Sequence, residues 1–270
     1  MFLRTLVTCC LLLAACGGPG AAEIEPHEPE IPADFTVRLP DGYDPAESYP
    51  LLVALHGYDR SETQPAALWD AGFFFMPDFI LLSVRAPFEA GVGYSWFRQA
   101  GEDDDPASRR RSARAGEEMV LSALAEVEEH YRVEADHRLL LGLGQGATAA
   151  AWVVLHHDDL FGGLALAGSV DLGILAGIPG ADELEVFVAG PAETASAVER
   201  FFGEAGAETR WFELPGPAVS AAALRAMQNF FDIAAEDAPE DDLGYDEDGE
   251  PVPGERPQPA DWGDAPAAAR

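Results

Sequence analysis

An apolar run, Leu139-Leu140-Leu141, stops at three alternate glycines, Gly142, Gly144 and Gly146, and a helix-forming segment follows from Ala147. A strand that turns sharply into a helix aims the free N–H groups of the first helical turn at whatever lies beside it. Corners of this kind hold either a nucleophile for acyl transfer or a phosphate. The middle residue here is Gly144, which has no side chain with which to attack. The supply of bases is as narrow. The histidines are His27, His56, His130, His137, His156 and His157, and none lies beyond His157. No histidine pair shows metal-ligand spacing with an acidic third member on one face. Lysine is absent, so all 16 basic residues are arginine. That excludes a Walker-type phosphate lysine, a Schiff base and a Ser-Lys dyad, and no cofactor is implied.

The chain has 270 residues and a formal net charge of −32. A phosphate backbone needs a positive surface, so direct nucleic-acid binding is excluded. Arg4 and the short apolar run Leu6 to Leu13 read as a targeting segment, too short to span a bilayer. It ends in Leu13-Ala14-Ala15-Cys16-Gly17, which resembles the lipobox of bacterial lipoproteins. The resemblance implies cleavage after residue 15, lipid on the Cys16 thiol and a palmitate-bearing anchor in the cell envelope. With no acidic residue after Cys16, it favours the outer membrane if the cell has one. Cys9, Cys10 and Cys16 are the three cysteines, so a mature chain starting at Cys16 has no internal disulfide.

Residues 16–33 are rich in Gly, Pro, Ala and Glu and read as a disordered tether. Residues 234–270 are acidic and Pro-rich and read as a disordered, solvated tail. Within the tail, Asp246-Glu247-Asp248-Gly249 half-matches a calcium loop. Gly244 stands where the first Asp belongs, and no helix follows, so no metal is assigned.

The elements that must position the corner lie within residues 34–233. Strands are expected at Phe35–Leu39, Pro50–Leu55, Phe79–Val84, 138–142, 162–167, 185–189 and 208–213. Asp105-Pro106 starts a helix with an N-cap carboxylate and Pro at the first helical position, running to about Tyr131. Further helices are expected at 146–157, 194–205 and 219–232. Doubly buried strands alternating with helices predict a three-layer α/β/α sandwich with a mostly parallel sheet. Ligands in such sheets bind beyond the carboxyl ends of the strands.

The loops at those ends read Leu55-His56-Gly57-Tyr58, Arg85-Ala86-Pro87, Tyr94-Ser95-Trp96-Phe97 and Gly142-Leu143-Gly144-Gln145-Gly146. In order and spacing they resemble the carboxylesterase, phospholipase and thioesterase branch of the α/β-hydrolase fold. The resemblance implies a nucleophile at Gly144, an acid at Glu193 and a histidine at Ala218. It implies an oxyanion site on the backbone N–H groups of Tyr58 and Gln145, in the turn that holds His56 and Gly57. It also implies that Trp96 and Phe97 cover an acyl pocket, where they would anchor a ligand. The triad is therefore degenerate at Gly144 and Ala218. The expectation is a lipid-anchored binding or structural module for a small apolar or anionic ligand or an envelope protein.

Two rivals use the same residues. An active carboxylesterase or phospholipase would need a substitute nucleophile, for which Ser169 with His56 as base is the candidate. A dinucleotide site would use Gly142, Gly144 and Ala147 with Asp171 as the ribose acid, although the motif opens the fourth strand and not the first. Arg109-Arg110-Arg111 with Arg114 follows Asp103-Asp104-Asp105. It reads as a solvated helix start, or as a cationic rim near the cleft.

Overall fold

A computed structural model describes residues 34–72, 76, 78–98, 105–178, 181, 184–213 and 221–231. Cys16, Ala218 and Asp246–Gly249 lie outside the described residues, as do the expected tether and tail. The core is a seven-stranded sheet made of β1 (Phe35–Arg38), β2 (Tyr49–Leu55), β3 (Ile80–Val84), β6 (Val133–Leu143), β7 (Gly163–Ala167), β8 (Glu185–Gly190) and β9 (Glu208–Glu213). The strand order is β1-β3-β2-β6-β7-β8-β9. Only the edge strand β1 runs antiparallel to its neighbour. Helices α1 (Thr63–Asp70), α2 (Pro106–His130), α3 (Gln145–His156), α4 (Leu172–Leu175), α5 (Ala192–Glu204) and α6 (Ala221–Phe230) complete it. The arrangement is the mostly parallel α/β/α sandwich expected from the sequence.

Side chains of a strand alternate between the two faces of its sheet, and each inner strand feeds two cores. Leu51, Val53 and Leu55 of β2 enter one core, with Leu164 and Leu166 of β7 and Val186 and Val188 of β8. That core is closed by Val120, Val127, Trp152 and Phe202 from α2, α3 and α5. The intervening residues, Leu52, Ala54, Ala165, Phe187 and Ala189, enter the second core beneath Leu68 of α1 and Leu224 and Met227 of α6. This double burial makes the inner strands read as continuous apolar runs.

The expected N-cap of α2 is present: Asp105 Oδ1 accepts from the N–H groups of Ala107 at 2.9 Å and Ser108 at 3.0 Å. Several elements go beyond the expected pattern. A hairpin, β4 (Phe88–Ala90) and β5 (Gly93–Ser95), interrupts the chain after β3. Helices α1 and α4 were not expected, and β6 begins five residues before its expected start at 138. The extra β6 residues pair through Val133 with Tyr49, across a register shift in β2.

The β6–α3 corner sits directly on the end of β2. A Cβ on Gly146 would lie 2.5 Å from the Leu55 carbonyl oxygen and 2.6 Å from that of His56. Backbone oxygens cannot retreat as a side chain can, so glycine at 146 is what allows the first turn of α3 to approach β2. Gly146→Ala is expected to lower the unfolding free energy in urea by about 2 kcal/mol or more. A loss below ~0.5 kcal/mol, the usual range of a surface substitution, would contradict this close approach.

Candidate functional site

Gly144 stands between β6 and α3 with φ 53° and ψ −116°, a conformation nearly closed to residues with a Cβ. A strained strand-to-helix turn of this kind lifts its residue out of the sheet. Gly144 is exposed, and a Cβ built on it would meet only the Gly57 Cα, at 3.5 Å. There is therefore room for a side chain at the turn, at a backbone cost on the order of 1–3 kcal/mol for a non-glycine residue. The corner is tied to its neighbours by backbone bonds. Gly144 N–H donates to Ala167 O at 2.7 Å, and Gly168 N–H donates to Ala189 O at 2.9 Å. Three strand ends are thereby stepped side by side.

The loop after β2 is held against the corner by a second set of bonds. Gln145 Oε1 accepts from the Trp96 backbone N–H at 2.8 Å and from Ser95 Oγ at 3.0 Å. The Trp96 indole donates to His56 O at 2.8 Å. His56 is fully buried; its Nε2 accepts from Ala86 N–H at 3.0 Å, which leaves the proton on Nδ1 to donate to Gly57 O at 2.7 Å. Gly57 N–H donates to Gln64 Oε1 at 2.8 Å. Asp59, with φ 56°, accepts from Val92 and Gly93 N–H at the tip of the β4–β5 hairpin. The backbone N–H groups of Tyr58 and Gln145 have no acceptor among the described residues.

Arg85 of the Arg-Ala-Pro stretch clamps this region from below. Its Nε and Nη2 each donate to the Glu62 carboxylate at 2.6 Å, and its Nη1 pairs with Asp34 at 2.5 Å. Glu62 is buried, and its bidentate bonding to Arg85 holds the carboxyl below its ordinary value. Arg85 is thus a scaffold residue whose guanidinium is consumed by two carboxylates.

A cleft of about 640 Å³ opens at the carboxyl ends of β6, β7 and β8. It is bordered by Gly144, Gln145 and Thr148 of the corner, by Ser169 and Asp171 after β7, and by Arg109 of α2. Its position is the one expected for a parallel sheet.

The structure brings together some of the expected site residues and separates others. Gly57 touches the space beside Gly144, and Gln145 borders the cleft; Tyr58 is 53% exposed at the edge of the same loop. Trp96 and Phe97 do not face the cleft as the resemblance implies. Both are buried in the core, and the Trp96 ring lies against Gly116, where a Cβ would approach Cε3 to 3.1 Å. Their contribution is to hold the His56–Gly57 turn. Glu193 is exposed in the first turn of α5 and is not among the residues that border the cleft.

Ser169 is exposed and borders the cleft, but the pairing with His56 does not form, because both His56 ring nitrogens are already bonded inside the protein. The dinucleotide arrangement is not formed either. Asp171 caps α4 through Gly173 N–H and pairs with Arg109, and the glycine corner follows a central strand. The arginines near the start of α2 divide: Arg109, half-buried, borders the cleft, whereas Arg110, Arg111 and Arg114 are exposed and do not. Sequence reasoning missed Thr148 and the pinning role of the Gln145 side chain. Only the placement of Gln145 directly after the turn hinted at the latter.

Fold and corner together define an α/β-hydrolase. The esterase family model, described as "Putative esterase", matches residues 27–172, more than half of the chain. The chain therefore belongs to that esterase family. No protein among curated sequences matches it. Among solved structures, the carboxylesterase of Bacillus cereus is 18% identical with a TM-score of 0.59, covering 75% of this chain and 95% of its own. The carboxylesterase of Mesorhizobium loti is 17% identical with a TM-score of 0.60, covering 77% and 98%. YahD, solved with malic acid, is 16% identical with a TM-score of 0.58, covering 74% and 98%. At these identities the likeness is one of fold.

Burial holds the His56 imidazole below its ordinary value of 6.5, opposed by its bond to Gly57 O. The unfolded chain then binds a proton that the folded protein refuses. The stability His56 contributes is complete above about pH 6.5 and declines as the pH falls below it. Glu62 acts in a lower window, below its ordinary 4.5. Urea titrations between pH 7.5 and 5 should show the stability advantage of wild type over His56→Asn shrinking toward acid. A constant advantage across that range would mean that the ring titrates freely in the fold.

Proposed function

We propose that this chain is a catalytically degenerate member of the esterase family that binds a small ligand in its cleft without turning it over, held at the cell envelope by lipid on Cys16. The observation that carries the reading is that, among the described residues, no imidazole borders the cleft beside Gly144. His56, His130, His137, His156 and His157 each bond elsewhere, to Gly57 O, Glu126 O, Glu134, Trp152 O and Glu117 respectively. Residues 73–75, 77, 99–104, 179–180, 182–183, 214–220 and 232–270, which lie outside the described residues, contain no histidine in their sequence, and His27 lies in the undescribed residues 1–33. A tetrahedral intermediate needs an attacking atom and a proton acceptor, and the glycine at 144 with no imidazole beside it among the described residues supports the loss of both. The Gln145 and Tyr58 N–H groups remain available to an oxygen of the ligand. Malic acid, found with the YahD neighbour, is a small dicarboxylic acid and supports an anionic occupant.

The second reading is an active carboxylic ester hydrolase. Family membership and the exposure of Ser169 at the cleft favour it. One experiment separates the two. The chain is incubated with p-nitrophenyl acetate and butyrate and, in parallel, with a fluorophosphonate probe. The degenerate reading expects hydrolysis at the buffer rate and no labelled serine. Multiple turnovers with labelling of one serine, abolished by Ser169→Ala, would establish the active enzyme instead.

A further inference from the structure

Arg109 differs from the other arginines at the start of α2. Arg110 donates from Nε and Nη2 to the carbonyls of Ile174 at 3.2 Å and Ala176 at 3.0 Å, at the end of α4. Arg111 donates to Ser108 Oγ. Arg109 borders the cleft and reaches Asp171 Oδ2 through Nη1 alone, an ion pair at 2.5 Å that is not an aligned hydrogen bond. Among the described residues its Nε and Nη2 donate to nothing.

Asp171 cannot swing away. Its Oδ1 accepts from Gly173 N–H at 2.9 Å, and its own N–H donates to Thr148 Oγ1 at 3.0 Å. A guanidinium fork is therefore held at the cleft by a fixed carboxylate, with most of its donors unspent among the described residues. The Gln145 N–H, which also has no acceptor among the described residues, borders the same cleft. A guanidinium fork fits a planar carboxylate through two parallel bonds better than it fits a point acceptor. The volume of about 640 Å³ is that of a small-molecule site. A net charge of −32 gives anions no long-range attraction, so selectivity must come from these local donors.

We infer that Arg109 is the recognition residue of this cleft. Its ligand is a small aliphatic carboxylic acid with a second carbonyl or carboxyl oxygen: the carboxylate pairs with the Arg109 guanidinium, and the second oxygen accepts from Gln145 N–H. The inference rests on the reading of the cleft as a binding site and adds the ligand class and the residue that reads it.

The test uses the detergent-solubilised full chain, labelled with 15N. It is titrated with succinate, monomethyl succinate, butyrate and inorganic phosphate by calorimetry and by the arginine Nε–Hε resonances. Succinate and its monomethyl ester are expected to saturate and to move the Arg109 resonance, and butyrate should bind about tenfold more weakly. Arg109→Gln should weaken succinate by about tenfold or more, and Arg109→Lys by a smaller factor, as the charge remains without the fork. If Arg109→Gln unfolds, the wild-type resonance and Arg109→Lys decide. No saturation by succinate, equal affinity in the folded Arg109→Gln variant, or equally tight phosphate binding would overturn the inference. Ester turnover by the same preparation, with the succinate results as expected, would sink the non-catalytic reading alone.

Discussion

The structure depends on one close approach: the first turn of α3 against the carboxyl end of β2. Gly146 permits it, because a Cβ there would run into two backbone carbonyls. With the helix seated, Gly144 takes a turn with positive φ, and the Gly57 Cα lies 3.5 Å from where a Cβ on residue 144 would stand. The Gln145 side chain then locks onto the Ser95–Trp96 segment, whose indole in turn fixes His56 O. Each bond is ordinary in strength, about 1 kcal/mol net. Together they make two loops and a hairpin into one rigid unit around a turn that carries no reactive atom.

The corner is held by contacts that do not depend on a side chain at residue 144. The groups that shape it are structural in their own right. The His56 ring spends both nitrogens on backbone, Arg85 is consumed by Glu62 and Asp34, and Trp96 fills the space beside Gly116. A residue without a side chain at 144 costs none of these contacts. A glycine also relieves the backbone strain that a side chain would bear at φ 53°. The scaffold is then stable whether or not chemistry takes place, and the cleft beyond it is open to a ligand.

Much of this was legible in the sequence. Runs such as Leu51–Leu55 are apolar at every position because both faces of the sheet are covered, and Asp105-Pro106 is a helix start on local grounds alone. The alternate glycines at 142, 144 and 146 announced a tight corner. What could not be read was set by tertiary contact. The β4–β5 hairpin is too short to show periodicity and is held by Asp59 from a distant loop. Trp96 and Phe97 look like ligand anchors in a linear reading; only packing reveals that their rings face the core. Arg109 and Arg110 are identical neighbours in sequence, yet one faces the cleft and the other holds the end of α4, a difference fixed by helix rotation and by Asp171.

If the proposed reading holds, the corner keeps the geometry of a nucleophile turn while its residue 144 has no attacking atom and no imidazole borders it among the described residues. The most direct test installs an attacking atom that needs no neighbouring base at alkaline pH. Gly144→Cys, mixed with p-nitrophenyl acetate at pH 8.5, should release a burst of about one equivalent of p-nitrophenol as the thiolate is acylated and the phenolate leaves, with slow turnover afterwards. Wild type, with its other cysteines unchanged, should show no burst above its background. A burst of equal size in wild type, or none in a folded Gly144→Cys protein, would contradict the account.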